Sequence, residues 1–213
     1  MIFDEFLKSI SKIENIPLPA EASHFKMVPP YRLELLNHQK KAMKNAKSAG
    51  VLALFYPSEE YLTKFVLILR KTYNGVHSAQ VGFPGGKLEA QDKSLQEAAI
   101  RETNEEIGVP INHIEVVKKL TQVYIPPSNF NVQPFIAITK EIPKFIKEES
   151  EVETIIEVGL PHFLDDDIIT LKKVKTSYGI EVEVPAFKLS HYTVWGATAM
   201  MLSEIKDILK QLL

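Results

Sequence analysis

The chain has 213 residues, of which 45% are hydrophobic and 24% charged, with a net charge of -2 and no cysteine. That is enough chain for one large domain with a substantial core. The missing cysteine excludes disulfides, thiolate catalysis and zinc–sulfur sites, and the near-neutral charge leaves no basic footprint for nucleic acid or an anionic membrane. No apolar run reaches the roughly 18 residues of a membrane span, and the start MIFDEFLKSISKIE lacks a secretory apolar region, so a cytoplasmic location is expected.

In chain order, Phe3 to Ile13 reads as a short amphipathic helix with Phe3, Phe6, Leu7 and Ile10 on one side, ended by Pro17 and Pro19. Residues 20 to 35 read as a loop containing Pro29-Pro30, and Leu35 to Lys47 as a helix. Val51 to Tyr56 and Lys64 to Lys71 read as strands joined by the turn Pro57-Ser58-Glu59-Glu60. Gln80 to Phe83 is a short strand leading into Pro84-Gly85-Gly86. Ser94 to Ile107 is a helix with Ser94 as N-cap and Glu97 three residues on, a capping box. His113 to Val123, Val132 to Thr139 and Glu153 to Val158 are strands, and Pro161 to Asp165 a short helix. Leu171 to Thr176 and Ile180 to Pro185 form a hairpin around Tyr178-Gly179, and Gly196 to Leu212 is a closing helix. There is no internal repeat. The expected organisation is a helical N-terminal extension over residues 1–45 and one α/β domain over 46–213.

The stretch from Gly86 to Val109 carries most of the chemistry. Arg101-Glu102-Thr103-Asn104-Glu105-Glu106-Ile107-Gly108 packs one Arg and three Glu into six helical positions. Glu102 and Glu106, four apart, share a face, with Glu105 on the next row. Like charges that close repel unless a cation binds them, and hard divalent cations prefer carboxylate oxygens. Arg101 and Glu105 form an i,i+4 pair. Leu95, Ala99, Thr103 and Ile107 make a mostly apolar row to pack on a sheet, and Gly108 can end the helix at positive φ. The glycines of Phe83-Pro84-Gly85-Gly86 allow close backbone approach, so a carbonyl there can complete a metal shell.

This stretch resembles the Nudix box, usually written GX5EX7REUXEEXGU with U a bulky aliphatic residue. Gly86, Arg101, Glu102, Glu105, Glu106, Gly108 and Val109 match. Asp92 stands where the first Glu is expected, the spacer from Asp92 to Arg101 is one residue longer, and Thr103 replaces an aliphatic residue. The longer loop, the acid at 92 and the opening Phe83-Pro84-Gly85-Gly86-Lys87 resemble the coenzyme A pyrophosphatase branch of the family. So do Leu67-Ile68-Leu69-Arg70 with Val76 to Pro84, Pro126-Pro127-Ser128-Asn129-Phe130 with Pro134-Phe135, and Val194-Trp195-Gly196-Ala197-Thr198-Ala199. The second Arg of that branch's pre-box signature is absent here. The resemblance covers about residues 50 to 213.

What the resemblance implies is an α/β/α sandwich with a mixed sheet, and a pyrophosphohydrolase that uses Mg²⁺ or Mn²⁺ on a nucleoside diphosphate linked to another group. Glu102 and Glu106 are the expected metal ligands, Glu105 a further ligand or the partner of Arg101, and the Gly86 carbonyl another ligand. Arg101, Glu105 and Glu106 are expected to be catalytic, with Glu151, from the acidic run Glu148 to Glu153, as general base. Arg70, His77, Ser78 and Gln80 are expected at the substrate, Arg70 on a phosphate; Asp92 and Glu89 reach waters around the metal; Trp195, Phe130 and Tyr124 are candidates to stack on a base. Three functions follow: cleavage of coenzyme A or its acyl forms to 3′,5′-ADP and 4′-phosphopantetheine, the same chemistry on ADP-ribose or another nucleotide, or a catalytically silent nucleotide-binding module. The extension either packs on a second copy, giving a homodimer, or covers the sheet.

Overall fold

A computed structural model describes residues 1–29, 43–71, 80–175 and 181–213. Most of the helix expected over 35–47, the turn at Tyr178-Gly179, His77 and Ser78 lie outside these residues.

The amphipathic start is helix α1 (Phe3–Ile10), with Phe3, Phe6 and Ile10 buried. The segment expected as a loop contains a helical turn, α2 (Glu21–His24), followed by a 3-10 turn at Phe25–Met27. Side chains hold that segment: Ser23 Oγ donates to Asp207, Lys26 Nζ donates to Asp207 Oδ1 at 2.8 Å, and buried His24 lies 3.2 Å from Glu204. Composition carried no sign of these partners, which sit some 180 residues away in sequence.

Strands β1 (Lys47–Pro57) and β2 (Thr63–Arg70) follow, then the short β3 (Val81–Gly82) and β4 (Gly85–Lys87), and the motif helix α3 (Leu95–Ile107). The strand expected over His113 to Val123 divides. Ile111–His113 is a 3-10 turn after Pro110, and the remainder makes β5 (Glu115–Lys119) and β6 (Val123–Ile125). Next come β7 (Phe130–Ile138), β8 (Val152–Gly159) and helix α4 (Leu160–Leu164). The hairpin is β9 (Ile169–Lys175) with β10 (Glu181–Leu189); an unexpected β11 (Tyr192–Trp195) precedes helix α5 (Gly196–Leu212).

Among the described residues, the main sheet runs β3-β2-β1-β7-β5, with β4 also on β1, β6 on β7 and β8 on β2. It is mixed: β1 and β7 run parallel, and the other pairs are antiparallel. Period-two alternation on β1 builds two cores. Leu52, Leu54 and Tyr56 join Ala99 and Ile107 of α3 on one face, whereas Ala53 and Phe55 join Phe6, Phe163, Leu202 and Ile205 of α1, α4 and α5 on the other. The result is an α/β/α sandwich, with β9, β10 and β11 forming a second, antiparallel sheet beside α5. The N-terminal segment covers this chain's own core: Phe6 stacks 5.2 Å from Phe55, and Lys118 Nζ donates to the carbonyls of Ile13 and Ile16.

One detail of the sheet prepares the site. β1 and β2 pair only from Phe55–Phe65 to Pro57–Thr63 and then part, so β4 takes the free edge of β1 and β3 that of β2. The opening between them faces α3 and the start of α5.

Candidate active site

Helix α3 is set down by its caps and by two glycines. Ser94 Oγ accepts from the Glu97 N–H, and the Glu97 carboxylate accepts from the Lys93 N–H. Gly108, at φ 75°, closes the far end by donating to the Asn104 carbonyl at 2.8 Å. On β1, a Cβ at Gly50 would strike the Leu95 carbonyl oxygen and lie 3.2 Å from Ala99 Cβ, so glycine lets the helix lie directly on the strand. Thr103, where the motif has an aliphatic residue, is fully buried and donates its hydroxyl to the Ala99 carbonyl at 2.7 Å, which satisfies it within the helix.

That seating turns Glu102 and Glu106 toward the Gly85-Gly86 turn. Glu106 is 1% exposed. Its Oε2 accepts from the Gly85 N–H at 2.8 Å. Its Oε1 lies 2.9 Å from Arg70 Nη1 as an ion pair, yet without hydrogen-bond geometry, and is left with a free lone pair in a buried place. Burial is the main cause that pushes the Glu106 carboxyl up to about 7, against the opposing pull of Arg70 and the Gly85 N–H. The Glu102 carboxyl is also raised, again chiefly by burial, with Arg101 opposing. The Glu102 carboxylate rests on the Gly86 backbone so closely that a Cβ there would overlap it.

The third carboxylate comes from a distant segment. The Ile146 and Glu148 N–H groups donate to the Ile107 and Glu106 carbonyls at 3.0 Å, which docks this segment on the end of α3. Pairing between β2 and β8 then skips a residue, so Arg70 stands opposite Val152 where an unbroken ladder would set Glu153. Such a bulge re-aims neighbouring side chains. The Lys71 N–H donates to the Glu151 carbonyl at 2.8 Å, and Glu102, Glu106 and Glu151 each bring a carboxylate oxygen within 4.8 Å of the others. Three hard oxygen donors, one buried with an unused lone pair, fit a divalent cation of the Mg²⁺ or Mn²⁺ type.

The other expected residues fall in different places. Glu105 is outside this triplet: its half-exposed carboxylate accepts from Arg101 Nη1 at 2.8 Å. Arg101 also holds Asp92 through Nε and Nη2, both at 3.0 Å, the Lys87 carbonyl at 3.2 Å, and Glu102 as an ion pair at 3.2 Å. Asp92 is therefore committed to Arg101, which holds its carboxyl below the usual range, and does not reach toward the triplet as the sequence suggested. Arg70 is likewise committed: besides Glu106, its Nη2 donates to the Gly85 carbonyl at 2.7 Å. Gly86 meets the site through its backbone, and Glu89 lies exposed at the rim.

These groups border a cavity of about 680 Å³. Arg70, Gln80, Gly85, Gly86, Glu102 and Glu151 line it, and so do the apolar residues Ile125, Phe130, Val132, Trp195 and Met201. Trp195 and Phe130 thus reach the cavity, whereas Tyr124 is buried and donates to Asn129 Oδ1 at 3.0 Å. The sequence did not single out Lys172, whose Nζ lies 5.6 Å above the Trp195 ring, nor the bond from Thr198 Oγ1 to the Val81 carbonyl, which ties α5 to the cavity edge. No helix among the described residues is long and apolar enough to cross a membrane.

Comparison with known proteins bears on family and fold. A NUDIX domain profile matches residues 44–166. The chain is 29% identical over 157 residues to the peroxisomal coenzyme A diphosphatase ndx-8 of Caenorhabditis elegans, covering 73% of this chain and 65% of that protein. It is 32% identical over 145 residues to the Nudix hydrolase NudL of Salmonella newport, covering 68% of this chain and 71% of that one. The match thus spans about two thirds of the length of these relatives. Among solved structures, the Nudix hydrolase RenU from M. smegmatis superimposes with a TM-score of 0.54 over 79% of this chain and 88% of its own; at 15% identity the likeness is one of fold.

Proposed function

Because the chain belongs to the Nudix family, we propose that it is a metal-dependent pyrophosphohydrolase of nucleoside diphosphates linked to another group. Coenzyme A and its acyl forms are the first candidates, cleaved to 3′,5′-ADP and 4′-phosphopantetheine or its acyl form. The observation that carries the reading is the triplet Glu102, Glu106 and Glu151 at the wall of a 680 Å³ cavity, with the buried Oε1 of Glu106 left unbonded. A silent module has no use for such a cluster, whose charges cost stability when nothing binds them. The choice of coenzyme A leans on the similarity to a protein named as a coenzyme A diphosphatase and on the sequence segments shared with that branch.

Glu102 and Glu106 hold the cation, with the Gly86 carbonyl as a further ligand. When bound, the cation neutralises the phosphoryl oxygens and makes water a better nucleophile. The protein's own part is positioning. Arg101 fixes Glu102 and Glu105 against the Asp92 loop. Glu151, the exposed member of the triplet, takes the proton of the attacking water. The water oxygen bonds to one phosphorus as that phosphorus loses its bond to the bridging oxygen. Gln80 and the apolar wall of Phe130 and Trp195 receive the two arms of the substrate. The missing second Arg of the pre-box signature favours one alternative, the same chemistry on ADP-ribose or another nucleotide.

The test is product analysis after incubation with coenzyme A, ADP-ribose and dinucleoside polyphosphates, each with Mg²⁺, with Mn²⁺ and with chelator. Metal-dependent release of 3′,5′-ADP from coenzyme A is expected. Cleavage of another substrate instead would overturn the specificity and keep the chemistry, and nucleotide binding without cleavage would overturn both.

A further inference from the structure

We propose that Arg70 is the resident counter-ion of the metal site, balancing Glu106 in the metal-free protein and holding metal affinity below what three carboxylates alone would give. This rests on the metal reading above and departs from a phosphate-binding role for this residue.

The geometry separates charge compensation from hydrogen bonding. Arg70 spends its directed bond on the Gly85 carbonyl at 2.7 Å. Its other terminal nitrogen lies 2.9 Å from Glu106 Oε1, close enough to neutralise it, but off the axis of a hydrogen bond. A carboxylate 1% exposed cannot stay ionised and unpaired without a large cost. Arg70 offsets that cost, yet leaves Oε1 without a hydrogen bond, on a carboxylate that has an oxygen within 4.8 Å of those of Glu102 and Glu151. Among the described residues the other guanidinium, Arg101, is taken up by Asp92 and Glu105 and pairs with Glu102 of the triplet. The residue skipped in the ladder is Glu153, opposite the Leu69–Arg70 step, and Arg70 and Glu151 both line the same cavity.

Two consequences follow from charge alone. The cost of the empty site is offset in part, because the Glu106 carboxylate already has a cation beside it. An arriving divalent ion is repelled by Arg70, so it is held loosely until a diphosphate adds negative charge of its own. Metal and substrate therefore strengthen each other's binding, and turnover follows free metal concentration.

The test compares wild type, R70Q, E106Q and R70Q/E106Q. Mn²⁺ binding is measured by calorimetry without substrate, and melting temperature with Mn²⁺ and with chelator. R70Q is expected to bind Mn²⁺ about fivefold tighter or more, a coupling of ordinary size, and to melt lower than wild type only in chelator. The double variant is expected to regain the melting temperature lost by R70Q, since without the Glu106 charge no counter-ion is needed. If R70Q alone does not fold, folding of R70Q/E106Q supports the proposal and its failure to fold overturns it. Unchanged or weaker Mn²⁺ binding by R70Q overturns the proposal, as does equal destabilisation with and without Mn²⁺, the mark of a structural arginine. A raised KM with unchanged Mn²⁺ affinity also overturns it, in favour of a substrate contact. Wild type that binds no Mn²⁺ at all would overturn the metal reading itself, a failure separate from these.

Discussion

Gly86→Ala is the sharpest probe of the site, because the added atom has one neighbour that matters. A Cβ at Gly86 would stand 2.5 Å from Glu102 Oε2 and closer still to the carboxylate carbon and Oε1. Ordinary contact begins near 3.5 Å, so the carboxylate must retreat by about 1 Å. It is the far end of a flexible side chain, so the fold gives way there first and the stability cost is on the order of 1 kcal/mol. Catalysis has no such slack: misplacing a positioning group by about 1 Å can cost about 10²-fold. We expect kcat/KM at fixed Mn²⁺ to drop by about that factor, while the melting temperature moves by only a few degrees. Gly159→Ala is the control, since nothing lies within 4 Å of its Cβ and its φ of -68° suits alanine; activity and melting temperature should both hold. Wild-type turnover and metal dependence in Gly86→Ala would refute the reasoning, since Glu102 would then not need the place it occupies.

Glu106 links the site to pH. Its carboxyl is raised from 4.5 to about 7, so between those values the metal-free native state keeps a proton that the unfolded chain has lost. Stability of the chelated protein should therefore fall as pH rises through this window, by up to about 3 kcal/mol. Denaturation at about pH 5 and about pH 8 should show this fall in wild type and a smaller one in Glu106→Gln; equal slopes would exclude the shift. Glu151→Gln should lower kcat about 10²- to 10⁴-fold at saturating Mn²⁺, and a kcat near wild type would remove Glu151 as the base. Phe6→Ala, which empties a fully buried site against Phe55, should cost about 3–5 kcal/mol by chemical denaturation. A loss below about 1 kcal/mol would show that the N-terminal segment does not contribute to the core.

Local rules made much of this legible. Ser94 with Glu97, and Gly108 after Ile107, fixed α3 to the residue, because caps are satisfied by neighbours in sequence. Short runs of strand-forming residues found the greater part of β1, β2, β7 and β8. What escaped depends on partners far along the chain. Glu21–His24 is helical in a stretch without a helical pattern, held by Glu204 and Asp207 of α5. Tyr192–Trp195 is a strand because β10 pairs with it, and four residues are too few to show a period. In the site, the shared helix face of Glu102 and Glu106 was readable from their i,i+4 spacing. The commitment of Arg70 to Gly85 and Glu106 depends on how β2 meets β8, which spacing does not encode.

Two of the three departures from the family motif, the Asp at 92 and the longer loop, meet at Arg101. An Asp at position 92 is one methylene shorter than the expected Glu. The extra residue before Arg101 lengthens that loop. It folds back on itself, with the Asp92 N–H on the Glu89 carbonyl at 3.1 Å and the Glu89 N–H on Asp92 Oδ2 at 2.8 Å. The Asp92 side chain, 4% exposed, then meets Arg101 with both oxygens at 3.0 Å. Arg101 also pairs with Glu102 and Glu105, so its contact with Asp92 bears on the placement of both. Read singly, each departure looks like decay of the motif. Together they still set an acid on Arg101, and Glu102 and Glu106 behind it keep their carboxylates together.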